Sequence, residues 1–225
     1  MSTFAFIPGA GGAAWYWHRV TPLLDAAGHR AIAVDLPADD DDAGLDDYAD
    51  RVVEAIGKRK AVVVAQSLGG FTAPLVCARA PVEALVFVNA MIPMPGEKAE
   101  DWGDNTGAGT ARAAAARKGG YPAEFDDQTY FFHDVPKKVA KEAEAHDRKQ
   151  SSRVMEEPCR FKSWPRVPIH VIAGRDDRLF PVDFQRRVAR ERLGIEIVEI
   201  RGGHLVSLSN PSGLAKRLIA ACQEK

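Results

Sequence analysis

The sequence predicts an α/β protein with a mostly parallel, doubly wound sheet of six strands. Short apolar runs rich in β-branched residues alternate with amphipathic helical patterns along the 225 residues. These runs lack the polar alternation of a strand with one wet face, as expected where helices cover both sides of a sheet. The intervening helices supply the right-handed crossovers that parallel strands require. A chain of this length buries a full core within one large domain.

The first run covers residues 3–7 and feeds the turn Pro8-Gly9-Ala10-Gly11-Gly12. Val20, Leu23, Leu24 and Ala27 form a helical stripe that Gly28 ends, and a second run follows at residues 31–34. The acidic run at residues 39–42, with Asp46 and Asp47, lacks the glycine and terminal glutamate of a calcium loop and reads as a solvated face. It leads into a helix marked by Tyr48, Val52, Val53 and Ile56. The third run, residues 61–65, continues through Gln66 to Ser67 and a helix start at Gly69-Gly70. Pro74 lies inside that helix, where it removes a bond to the Gly70 carbonyl and predicts a kink.

A fourth run covers residues 84–88, after which residues 91–164 hold no convincing strand. Such a stretch is too long for a plain loop, and its Phe131, Phe132, Val135, Val139 and Ala143 predict short helices. The expected plan is therefore a core of residues 1–90 and 165–225, with residues 91–164 as a helical lid inserted after the fourth strand. The fifth and sixth runs cover residues 169–173 and 195–200. Asn210-Pro211 then opens a last helix carrying Leu214, Leu218, Ile219 and Cys222.

Three segments carry chemistry. Ser67 stands between a strand and a helix among small residues, a junction that displays a hydroxyl above the carboxyl edge of a parallel sheet and leaves the Leu68 N–H free. The same segment also fits an ordinary helix cap with close strand–helix packing. Gly174-Arg175-Asp176-Asp177 follows the fifth run and Gly202-Gly203-His204 follows the sixth, so a serine, an acid and a histidine share one edge. A serine hydroxyl attacks only when a base takes its proton, and His204 sits on glycines that let its loop reach inward. Either Asp176 or Asp177 could orient the imidazole.

This order of serine, aspartate and histidine resembles that of the α/β-hydrolase superfamily, and the likeness extends over nearly the whole chain. The family pattern Gly-x-x-Asp-x-x-x-Pro fits Gly174, Asp177 and Pro181, which implies Asp177 as the acid. The resemblance further implies an oxyanion hole formed by the N–H groups of Ala10 and Leu68. Pro8 stands where these hydrolases usually have a histidine. Trp15-Tyr16-Trp17, Ala26-Ala27-Gly28-His29 and Gly202-Gly203-His204 followed by Ser209-Asn210-Pro211 look like the plant methylesterase and hydroxynitrile lyase branch, including its bacterial relatives. Lyases of that type carry a threonine where this chain has Gly9, and a lysine where it has Leu205. The resemblance thus implies a carboxylesterase-like enzyme acting through an acyl-enzyme, with a lyase-like activity on the same triad as the alternative. Gly9, Trp15, Met91, Phe131, Phe132 and Leu205 are the candidate pocket residues.

Two other classes fit parts of the sequence. Gly9-Ala10-Gly11-Gly12-Ala13-Ala14 also matches a dinucleotide-binding turn, with Asp35 as its ribose acid, so an NAD(P)-dependent oxidoreductase is one alternative. Trp15, Tyr16 and Trp17 crowd that helix start, and the reading leaves Ser67, Asp177 and His204 unused. A ligand-binding protein on a hydrolase scaffold is the other. With 30 Lys and Arg against 31 Asp and Glu, the net charge of −1 gives no basic patch for nucleic acid. Cys77, Cys159 and Cys222 have no paired spacing, so neither disulfides nor metal are expected, and no cofactor. No apolar run reaches a membrane span and the start MSTFAFIPG lacks a basic leader, so the expected location is the cytoplasm. The expected partner is a small ester, with a homodimer as the possible assembly. Among the other histidines, His18 and His133 are candidate pocket residues, His29 and His146 are expected in solvent, and His170 in the core.

Overall fold

Successive residues of a strand point to opposite faces of its sheet, and here both faces are covered. The computed structural model describes residues 1–223. Six strands, β1 (Thr3–Ile7), β2 (Arg30–Ala33), β3 (Ala61–Gln66), β4 (Val82–Val88), β5 (Ile169–Gly174) and β6 (Ile197–Ile200), pair in parallel in the order β2-β1-β3-β4-β5-β6. Every residue of β3 is buried, which accounts for its unbroken apolar run. Phe4, Phe6, Val62 and Val64 pack on one face with Leu24 of helix α1 (Thr21–Ala26) and with Leu214 and Leu218 near the C-terminal end. Ala5, Ile7, Ala61, Val63 and Ala65 pack on the other, under α2 (Leu45–Ile56) and α3 (Gly69–Arg79).

Between β4 and β5 the chain leaves the sheet for a helical insertion. It contains α4 (Ala99–Thr106), α5 (Ala108–Gly119), α6 (Asp127–Tyr130), α7 (Lys137–Ala143) and α8 (Ser152–Glu156). The base of the insertion belongs to the core: Trp102, Val154, Cys159 and Phe161 join the cluster beneath α2 and α3. Its middle reaches the carboxyl edge of the sheet, where Phe131, Phe132, Val135 and Val139 pack with Trp15, Tyr16, Leu205 and Leu208. After β5, α9 (Val182–Leu193) covers the α2–α3 face, and α10 (Val206–Ser209) and α11 (Pro211–Ala221) complete the chain. The Asn210 side chain caps α11 by accepting the Gly213 N–H at 3.1 Å.

Several local expectations need correction. β6 begins at Ile197, because the chain turns through Gly194 at φ 70° and Arg190 then holds the Glu196 carboxylate at 2.7 Å outside the sheet. The acidic run is exposed but partnered: Arg148 pairs with Asp39, Lys149 with Asp41, and Arg153 donates to the Asp42 carbonyl. Such exposed pairs contribute little singly. The buried Ser151 hydroxyl fixes the same contact by donating to Ala43 O at 2.9 Å. His29 and His146 are half-buried, His29 against Phe4 and His146 stacked on Trp15. His18 is exposed, with its ring stacked on Trp15. His170 is half-buried on β5. Burial pushes the Cys77 and Cys159 thiols up to about 12, which keeps both protonated and unreactive. Among the described residues, no helix is long and apolar enough to cross a membrane.

The insertion is anchored by one buried ion pair. Arg192, at the end of α9, grips Glu97 through both carboxylate oxygens, Nη2 to Oε1 at 2.8 Å, and also donates to Ile92 O at 2.6 Å. The two side chains are 8% and 5% exposed, so removing one charge strands the other. Burial alone would push the Glu97 carboxyl up, but the Arg192 guanidinium, the Met94 N–H and the Asn105 amide hold it below the usual carboxylate range. Arg192→Ala is expected to cost about 3–5 kcal/mol at neutral pH. Because the Glu97 pKa is lowered on folding, that contribution is present above the usual carboxylate range and is lost as pH falls below it, through the lower pKa of folded Glu97. Urea unfolding of both proteins at pH 7 and in acid checks this: the gap should narrow in acid.

Candidate active site

The last residue of β3 is Gln66, and the chain then turns sharply at Ser67, which has φ 49°. A residue with a Cβ avoids this left-handed region, at a cost of about 1–2 kcal/mol. The surroundings enforce it. The Ser67 carbonyl accepts from Gly70 N at 3.1 Å and from Met91 N at 3.0 Å, which ties the turn to the strand end beside it. A Cβ on Gly69 would lie 2.5 Å from Pro8 O, and one on Gly70 would overlap Met91 O. Only glycines let α3 leave the turn so close to both neighbouring strands.

His204 completes the geometry. Its Nε2 lies 3.1 Å from Ser67 Oγ and its Nδ1 lies 2.9 Å from Asp177 Oδ2. The neutral tautomer that suits both contacts carries its proton on Nδ1, donates to Asp177 and accepts from the serine hydroxyl. Both the His204 and Asp177 side chains are buried, at 1% and 0% exposed. The Asp177 carboxylate is well supplied with donors: Leu179 N and Phe180 N at 2.9 Å to Oδ1, and Gln185 Nε2 at 3.3 Å to Oδ2. Asp176 is exposed and faces the other way, accepting from Gly202 N at 3.1 Å. The structure thus separates two aspartates that spacing alone left open.

The remaining sequence candidates lie on the neighbouring turns, in the core beneath them and on the insertion. Gly9 packs against the Ser67 turn, since a Cβ on it would lie 2.9 Å from Ser67 Cβ. Ala10 follows, exposed, in a turn closed by Gly12 N to Gly9 O at 3.1 Å. Leu68 opens α3 at φ −56°, so its N–H is among the donors a helix start leaves over. Met91 lies beneath the turn, and its side chain joins the α2–α3 face of the core. Trp15, Phe131, Phe132 and Leu205 share the apolar cluster between the insertion and the sheet edge. Phe131 stacks on the His204 ring with centroids 5.3 Å apart, and Phe180 meets the same ring edge-on at 5.2 Å. His133 stands beside the histidine loop, and burial pushes its imidazole below the usual range while Asp134 opposes that shift. A cleft of about 1330 Å³ runs behind Asp177 between α5 and the start of α9, and Ser67 is not among its walls.

The dinucleotide-binding alternative finds its turn engaged. Gly11 N donates to Gln150 Oε1 at 3.0 Å, and a Cβ on Gly11 would lie 3.0 Å from Arg148 O. The insertion therefore covers the space a pyrophosphate would need. Asp35 accepts from Ala14 N at 2.8 Å and caps the helical turn instead of facing a ribose.

Two residues support the site in roles that the sequence reading does not assign to them, Asn89 standing where some relatives carry the acid. Asn89, fully buried at φ 46°, donates to Gly203 O and His204 O at 2.9 Å each and accepts from Gly174 N at 2.6 Å. One amide thereby joins the ends of β4 and β5 to the histidine loop. Gln185 of α9 donates to Phe180 O at 2.7 Å while reaching Asp177. An asparagine at a strand end tolerates positive φ and was a readable signal. Nothing local marks Gln185.

A model described as the alpha/beta hydrolase family matches residues 4–217. A probable esterase of Oryza sativa subsp. indica, PIR7A, is 40% identical over 107 residues, covering 42% of this chain and 41% of its own length. Methyl jasmonate esterase 1 of Vitis vinifera is 32% identical over 105 residues, 41% of this chain and 40% of its own. The matched region therefore spans about two fifths of the length of these curated relatives. The crystal structure of the methylesterase MES16 from Arabidopsis superposes with a TM-score of 0.78 at 19% identity over 99% of both chains, a likeness of fold.

The strain at Ser67 has a measurable consequence. Of two variants that both lack the hydroxyl, Ser67→Gly should be more stable than Ser67→Ala by about 1 kcal/mol, because only glycine adopts positive φ freely. Chemical denaturation of the pair checks it.

Proposed function

The chain belongs to the alpha/beta hydrolase family, and from that premise we propose that it is a carboxylesterase-like serine hydrolase acting on a small ester. The observation that carries the reading is the unbroken line from Ser67 Oγ through His204 to Asp177, with contacts of 3.1 and 2.9 Å. His204 Nε2 takes the hydroxyl proton as Ser67 Oγ attacks the ester carbonyl. The buried Asp177 carboxylate holds the tautomer and stabilises the imidazolium. Negative charge develops on the carbonyl oxygen, where the N–H groups of Ala10 and Leu68 would receive it. The imidazolium then returns its proton to the leaving alcohol, and water, activated by the same histidine, releases the acid from Ser67.

The insertion serves as the lid of this site, with Trp15, Phe132 and Leu205 as apolar walls for the substrate. Leu205 and its neighbours Val135 and Leu208 are apolar, which favours ester hydrolysis over expulsion of an anion such as cyanide beside His204. The methyl ester named for the Vitis vinifera relative makes methyl esters the first substrates to try, in the cytoplasmic setting expected for the chain.

A panel of short-chain aryl and methyl esters tests the proposal. Ser67→Ala and His204→Ala should each lower kcat/KM by about 10⁴-fold or more, and a phosphonate inhibitor should form a covalent adduct at Ser67. Asp177→Asn should be severe and Asp176→Asn mild. Undiminished turnover by Ser67→Ala would overturn the assignment.

A further inference from the structure

The loop that carries His204 is intrinsically permissive. Two glycines precede the histidine, and Gly202 has φ 130°, a conformation side chains rarely adopt. Asn89 restrains this loop from the sheet side through the carbonyls of Gly203 and His204. The insertion restrains it from the other side. Asp134 Oδ2 accepts the Gly203 N–H at 2.6 Å, a charge-assisted bond. Three residues earlier Phe131 stacks on the imidazole, with centroids 5.3 Å apart and 29° between planes, and Phe180 meets the same ring edge-on.

Contact here is close. A Cβ on Gly203 would lie 2.7 Å from both Asp134 Oδ1 and His133 Nε2. Arg178 Nη1 donates to Thr129 O at 3.3 Å, so α6 is also tied to the loop that carries Asp177. Rotation of the imidazole would carry Nε2 away from Ser67, and the stacked ring of Phe131 stands against one of its faces.

We propose that Phe131 and Asp134 are positioning residues for His204, so that docking of the insertion completes the reactive geometry. The inference rests on Ser67, His204 and Asp177 being the reacting groups. Phe131 then does more than line a pocket. A wall residue chiefly sets KM, whereas a residue that orients the base sets kcat.

The test uses Phe131→Leu, which keeps apolar bulk, Asp134→Ala, which removes the acceptor, and Phe131→Tyr, which restores the aromatic face. Three quantities are read: kcat and KM on a short aryl ester, the rate of inactivation by a small fluorophosphonate, and the low-field proton resonance of the His204–Asp177 hydrogen bond in substrate-free protein. Phe131→Leu and Asp134→Ala should each lower kcat and the inactivation rate by about 10- to 100-fold with KM changed less than about threefold. The low-field resonance should broaden or vanish in both, and Phe131→Tyr should recover all three readouts. Should one variant fail to fold, the other decides alone. A change confined to KM, with the resonance intact, overturns the positioning role even if the hydrolase reading stands. Loss of the resonance in a protein that turns over no ester supports the positioning role while removing the hydrolase reading.

Discussion

A serine held at positive φ at the end of a fully buried strand is the constraint on which the rest of this edge depends. Without that turn the Ser67 hydroxyl would alternate into a face of the sheet and be covered by helix. With it, the hydroxyl stands beyond the last strand residue, where His204 can reach it. The conformation survives because the neighbours leave no alternative: Gly69 and Gly70 pass too close to Pro8 O and Met91 O for any side chain. Local strain of this kind is maintained by close packing around it.

The second requirement is electrostatic. A carboxylate as buried as Asp177 is tolerable only when its oxygens are fully engaged. Two backbone N–H groups, the Gln185 amide and the imidazole meet that need. Asn89 ties the same region together, spanning the ends of β4 and β5 and the carbonyls on either side of His204's own peptide. Asn89 and Gln185 thus brace this edge from the sheet side with uncharged amides, and Asp177 is the carboxylate bonded directly to the imidazole.

The insertion between β4 and β5 is tied in at both ends of its span. Its base shares the hydrophobic cluster under α2 and α3 and the Arg192–Glu97 pair. Its later part pairs with the acidic loop and passes over the glycine turn, with Gln150 taking the Gly11 N–H. Phe131 and Asp134 lie between these anchors, against the histidine loop. Attachment on both sides is what allows a segment outside the sheet to hold a side chain on the loop that follows β6.

Read alone, the sequence determined the sheet and the location of the reactive edge. Unbroken apolar runs mark strands buried on both faces, and glycine-flanked Ser67 and His204 mark turns beyond them, because both signals are local in the chain. Strand ends were less legible: β6 loses two expected residues to a turn at Gly194 and an Arg190–Glu196 pair. Tertiary structure decided what depends on contacts between distant segments. It distinguished Asp177 from Asp176 by burial and direction, engaged Gly11 and Asp35 in contacts within the chain, and brought Gln185 to Asp177 and Asn89, Phe131 and Asp134 to the loop that carries His204. Their chemistry is ordinary where they stand in the chain, and only the closing of loops between residues 89 and 204 gives each of them its neighbour.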